Sequence, residues 1–131
     1  MEPQRNLQFR SKVFLFVTLT LVGSILHFTD NYVNLHAYEM GDLINANAWI
    51  IPAYWLVMTT IGFVSWQFAL VRSPKLLLYI YAGMAMFSYG HYVVKPIWAW
   101  SWQQNAMILS ETVPATFLAL AVYFQRSETI L

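Results

Sequence analysis

The stretch WIIPAYWLVMTTIGFVSWQFALV, Trp49 to Val71, contains no charged side chain. A helix crosses the hydrocarbon core of a bilayer with about 20 predominantly apolar residues, and this run meets that length without interruption. Three further runs read the same way: Val13–Phe28, Leu76–Val94 and Asn105–Phe124. None of them shows the sustained apolar/polar alternation of a membrane barrel strand. Only 10% of the chain is charged and 59% is hydrophobic, whereas a soluble domain carries about 25% charged residues. The expectation is an all-α protein, an integral membrane four-helix bundle. It is multi-pass and forms a single domain over residues 1–131, with no linker and no internal repeat.

Charge orients the bundle. Arg5, Arg10 and Lys12 precede the first run, Arg72 and Lys75 lie in the short VRSPK connection, and Arg126 follows the fourth run. Lys95 stands alone on the opposite side. Lys and Arg collect in cytoplasmic loops, so both termini are expected in the cytoplasm, with 34–47 and 95–104 outside. The basic N-terminus followed by an apolar run also has the outline of a secretory signal. The lack of a small-residue cleavage site and the three later spans favour a retained helix. There is no cysteine, which excludes disulfides, thiolate catalysis and Cys-ligated metals. A net charge of +1 offers nothing to nucleic acid. Trp49, Trp98, Trp100 and Trp102 read as an interfacial aromatic belt.

The polar residues of the spans converge on one depth. His27, Asp30 and Asn31 occupy the outer end of the first helix, in LHFTDNY. His91 lies near the outer end of the third, and Glu111 about two turns below the outer end of the fourth. Thr20, Ser24, His27 and Asn31 recur at helical spacing, as do Tyr81, Met84, Ser88 and His91. Residues three and four apart share a face, and strongly polar groups in a membrane turn toward the bundle interior. In ILSETVPATF, Pro114 takes away the backbone donor that would serve the Ser110 carbonyl. That predicts a kink and a polar pocket beside Glu111. A packing-only role would tie Glu111 to His91 or Tyr89. Ala82, Gly83, Ala85, Ser88 and Gly90 let helices approach closely, which predicts a central place for the third helix. His36, Glu39 and Asp42 read as loop residues, with EMGD a turn before the second helix.

Three kinds of chemistry fit this arrangement. In the first, Glu111, His91, His27 and Asp30 bind a small lipophilic ligand or act on it as general acids and bases. Asn31, Tyr54, Trp55, Tyr89 and Tyr92 would form the ligand-binding wall. In the second, His27 and His91 clasp a haem iron, or His27, His91, Glu111 and Asp30 form a mixed nitrogen and oxygen metal site. No CxxCH attachment signal and no arginine near the histidines accompany that reading. In the third, the chain is a small accessory or assembly subunit, part of a homo-oligomer or a larger membrane complex. The sequence names no cofactor, and binding and turnover stay open as alternatives. Membrane lipids and a lipophilic ligand are the expected partners.

Three motifs add a resemblance: LHFTD closing the first helix, AWIIPAYW opening the second, and VRSPKLLLYIY leading into the third. With these the chain resembles the EXPERA group of membrane proteins, which includes the sigma-2 receptor and the emopamil-binding sterol isomerases. The resemblance implies a helical bundle with a pocket for a small lipophilic ligand. Those proteins carry an acidic residue in the second helix, whereas Trp49–Val71 has none and the deep carboxylate here is Glu111. The topology is directly testable. Cysteines introduced at Ser73 and Ser101 should react with an impermeant thiol reagent from opposite faces of the membrane. Reaction of both from one face would mean that a span has been miscounted.

Overall fold

The computed structural model describes residues 2–38, 41–69 and 75–127. Helix α1 spans Glu2–Val33 and leads into a 3-10 turn, Leu35–Tyr38. The short helix α2, Asp42–Ala46, precedes α3, Ile50–Ala69. Helix α4, Lys75–Met86, passes through a 3-10 turn, Phe87–Gly90, into α5, His91–Val94. A last 3-10 turn, Ile97–Ala99, leads to α6, Trp102–Ser127. No strand occurs among the described residues. Among the described residues, two helices are long and apolar enough to cross a bilayer: Gln8–Val33, of mean hydropathy 1.7, and Trp102–Phe124, of mean hydropathy 1.6.

Over its described residues each expected run lies on helix, apart from Trp49, which precedes α3, and two further differences. The first helix is longer than its apolar core at both ends. At its C-terminal end the Asn34 amide still donates to Asp30 at 2.8 Å, before Ala37 turns back onto the Asn34 carbonyl. The third run is not one continuous α-helix, because the Phe87–Gly90 turn divides it. The Arg72 part of the VRSPK connection and Glu39 lie outside the described residues.

The pairing of helices also corrects an expectation. The most extensive contact is α1 against α6. Helix α4 packs on α6, and α3 lies against both α1 and α4. The centre is therefore the α1–α6 pair and not the third helix. The reason is one glycine. A Cβ on Gly23 would stand 2.1 Å from the Ser110 carbonyl oxygen and 2.6 Å from the Glu111 amide nitrogen. The two backbones meet there with nothing between them. The Ser110 carbonyl is the one that Pro114 leaves without its usual helical donor, and α6 stays helical through Pro114. In α3, Gly62 makes room for the Tyr81 ring, 2.5 Å from where a Cβ would be. Gly83 and Gly90 have no atom that a Cβ would meet. In α4 it is Ala82 and Ala85 that are fully buried.

Polar side chains lie in the interior and large apolar ones on the exterior. Thr20, Ser24, His27, Asn31, Ser65, Ser88, Glu111 and Thr112 are buried, whereas Phe14, Val22, Leu56, Phe63 and Phe117 are each at least half exposed. The interior hydroxyls are tolerated because their own helix satisfies them. Thr20 donates to the Phe16 carbonyl at 2.7 Å, Ser65 to Ile61 at 2.7 Å and Thr112 to Ile108 at 2.9 Å. Such back-bonding leaves each hydroxyl no demand on its neighbours. Below this polar zone an apolar core of Val13, Val17, Met58, Leu78, Leu118 and Val122 fills the other half of the bundle.

The Gly23 contact makes a sharp prediction. Gly23→Ala should destabilise the protein by about 1–3 kcal/mol or more, because backbone cannot yield as a side chain does. Gly83→Ala, inside α4 with room for a Cβ, should leave stability unchanged or raise it by up to about 1 kcal/mol. Thermal unfolding of both variants in detergent checks the ranking, and equal behaviour would refute the close approach.

Candidate functional site

The Asn31 end of α1, helix α2, the first turns of α3 and the segment Phe87–Val94 surround a cavity of about 420 Å³. Its walls are mostly apolar: Phe28, Ile44, Ile50, Ile51, Tyr54, Phe87 and Val94. Its polar lining comes from His27, Asn31, Tyr38, Ser88 and His91. The break in the third helix shapes this wall. Phe87, Ser88 and Gly90 of the turn and His91 at the start of α5 all line the cavity. The Tyr54 hydroxyl donates to the Met84 carbonyl at 3.0 Å, close to where the helix changes its bonding pattern.

Behind the polar lining lies Glu111, fully buried. The Ser88 hydroxyl donates to its Oε2 at 2.9 Å. His27 Nε2 lies 4.0 Å from the same oxygen, beyond hydrogen-bond length, and 3.1 Å from the Asn31 amide nitrogen. The His27 and His91 rings meet edge to face, with centroids 5.3 Å apart. The Tyr38 ring packs on both, and Trp100 on His91. His27, His91 and Glu111 therefore come together, although only the histidines line the cavity. The partner of Glu111 is Ser88, not His91 or Tyr89; the Tyr89 hydroxyl pairs with Thr116 at 3.2 Å instead. Three buried atoms in this cluster have no hydrogen-bond partner among the described residues: His27 Nδ1, Asn31 Oδ1 and Glu111 Oε1.

Asp30 does different work. Tyr38 donates its hydroxyl to one carboxylate oxygen, and the Asn34 amide donates to the other at 2.7 Å. Burial, followed by the hydrogen bond and charge of Asp30, pushes the Tyr38 phenol well above its ordinary range, so it stays a proton donor. Asp30 thereby fixes the ring that covers one end of the cavity, and does not line the cavity itself. Among the expected wall residues, Asn31 and Tyr54 line it. Trp55 turns to Ser24 at 3.1 Å and Tyr92 to Asn105 at 2.9 Å. Tyr38, Phe28 and Ile44 are lining residues that the sequence did not mark. His36 and Asp42 are exposed. Of the expected aromatic belt, Trp49, Trp98 and Trp102 are exposed, while Trp100 is buried.

The metal and haem arrangements weighed from the sequence are not assembled. Asp30 is engaged elsewhere, and among the described residues no group of three His, Asp or Glu side chains is placed to hold a metal ion. The two imidazoles already touch one another, which leaves no gap for a porphyrin plane between them. No family model, curated protein or solved structure matches the chain.

Ser88 is the residue through which the buried carboxyl meets the cavity wall. Ser88→Ala leaves Glu111 Oε2 unpaired in the interior and should cost about 1–3 kcal/mol. Tyr89→Phe, which removes a partly buried hydroxyl contact, should cost under about 1 kcal/mol. Thermal unfolding of the two variants checks this order, and a larger loss in Tyr89→Phe would refute it.

Proposed function

We propose that the chain spans a membrane four times, with both termini cytoplasmic. In this reading the cavity at its outer end binds a small lipophilic ligand or performs acid–base chemistry on it. The observation that carries the reading is the cavity itself: apolar walls with the side chains of His27, Asn31 and His91 in the lining. Small-molecule sites have this composition, with volumes of roughly 300–1,000 Å³ and a few fixed polar groups that set orientation. The apolar exterior beside a polar interior supports a lipid surround, since lipid, unlike water, makes no demand for polar groups outside. Helix α3 carries no charged residue, and α4, the Phe87–Gly90 turn and α5 together reach about 30 Å at 1.5 Å per residue. The EXPERA resemblance points to the same class of ligand.

The residues divide the work by position. His27, His91 and Asn31 face the ligand, and Tyr54 and Phe28 wall its apolar body. Glu111 is a positioning group that holds Ser88 at the wall and stands 4.0 Å from His27 Nε2. Asp30 keeps Tyr38 in place. Membrane lipids are the surrounding partner and the route by which such a ligand arrives.

Native mass spectrometry of the purified chain, followed by solvent extraction, tests the reading. Wild type should release one lipophilic molecule per chain. Asp30→Asn should retain it in part, because its role is to orient Tyr38. Glu111→Gln, which keeps an acceptor for Ser88 but not the carboxyl group, should fold and retain less of it than Asp30→Asn. Retention in Glu111→Gln with loss in Asp30→Asn would move the working centre to the Asp30 end. No stoichiometric lipophile in any of the three would overturn the ligand reading.

A further inference from the structure

The wall of the cavity is uneven. Its lining comes from α1, Tyr38, α2, α3 and the segment Phe87–Val94, and α6 contributes none of it. His27, Asn31, Tyr38, Ile51 and Ser88 are buried. Phe87 and Val94 line the same cavity and are 76% and 64% exposed. These two side chains belong to the cavity and to the exterior at once.

The packing of the helices accounts for this edge. The Phe87–Gly90 turn packs on α6, α4 and α5, whereas α3 packs on α4 and α1. The Tyr54 hydroxyl ties α3 to the end of α4 through the Met84 carbonyl, at 3.0 Å, and the Tyr54 and Phe87 rings stand 6.5 Å apart. From there to the outer end, α3 gives Ile50 and Ile51 to the cavity and the segment gives Gly90 and Val94. The space between them is the cavity itself. The side next to the histidines is covered instead. The Tyr38 ring packs on His27, His91 and Trp100, and Gln104 of α6 holds the Ala37 carbonyl at 3.0 Å.

We infer that the cavity is entered from the side, between α3 and the segment Phe87–Val94, by a single hydrocarbon chain from the outer leaflet. This rests on the membrane and ligand reading above and deepens it. On the flank of a spanning bundle this slot meets acyl chains, which are as apolar as its own rim. Ile50, Phe87 and Val94 are hydrocarbon, Tyr54 has its hydroxyl engaged, and no Lys, Arg, Asp or Glu lines the cavity. Size favours one chain. A methylene group needs as much room as a molecule of liquid water, about 30 Å³. The cavity of about 420 Å³ therefore holds one chain of about 14 such groups, not the two chains of a whole phospholipid.

The test uses the purified chain in nanodiscs and two photoreagents. One is a phosphatidylcholine with a diazirine at the end of one acyl chain. The other is photoleucine, a water-soluble diazirine amino acid. After illumination, tandem mass spectrometry locates the adducts. Leu56, exposed on α3, and Ser101, exposed in the outer connection, report that each reagent has reacted. Ile51, buried and lining the cavity, is the readout. The lipid should mark Leu56 and Ile51, and photoleucine should mark Ser101 and not Ile51. Phe87→Ala trims an exposed side chain at the slot and should raise the Ile51 adduct at least about twofold relative to Leu56, because entry is eased. Marking of Ile51 by photoleucine would place a mouth in water and overturn side entry while leaving a ligand cavity. An unchanged Ile51 yield in Phe87→Ala would overturn the slot. No adduct on Ile51 from either reagent would overturn the cavity reading itself.

Discussion

The backbone contact between Gly23 and Ser110–Glu111 is the constraint from which the rest of the site follows. Close approach of α1 and α6 at this point fixes both the depth and the facing of their side chains. His27 lies one turn beyond Gly23 on α1 and so reaches Glu111 Oε2 within 4.0 Å. Asn31, a further turn along, is carried to His27. A helix pair held apart by even one methyl group would move Glu111 further still from His27. Pro114 acts in the same place. It exposes the Ser110 carbonyl, and a glycine is what allows α1 to lie against it.

Around this contact the protein separates two kinds of polar group. The threonine and serine hydroxyls of the helices are closed onto their own carbonyls and behave as small packing groups. The cluster at His27, Asn31 and Glu111 is not closed, because each retains an unmatched atom. Buried groups of that kind cost stability. Among the described residues, three of the five such atoms belong to this cluster, and Thr59 and Tyr81 supply the other two.

Much of this was legible in the sequence, and the reasons differ by residue. Helices emerge from unbroken apolar runs because length and composition are local properties. The facing of Thr20, Ser24, His27 and Asn31 follows from helical spacing alone. The break at Phe87–Gly90 is not written locally, since FSYG holds no proline and its only glycine adopts ordinary helical angles. It accompanies contacts made from elsewhere: Tyr54 on the Met84 carbonyl and Glu111 on Ser88. The place of Tyr38 depends on Asp30, eight residues earlier, across the end of a helix, and no periodicity links the two. Small residues marked close packing correctly in kind. Which glycine is used depends on the partner helix, and so Gly23 mattered while Gly83 did not.

Gly90 has a consequence of another sort. It lines the cavity, its backbone angles of −55° and −26° suit any amino acid, and a Cβ there would meet nothing within 4 Å. The bore of the cavity is therefore governed at a position that bears no weight in the fold. Exchange of one residue there narrows the chamber while leaving the helix crossing and the His27–Asn31 pair untouched. If the cavity takes a ligand as proposed, the size it admits is set at a residue apart from the polar lining, and evolution can tune it as an independent dial.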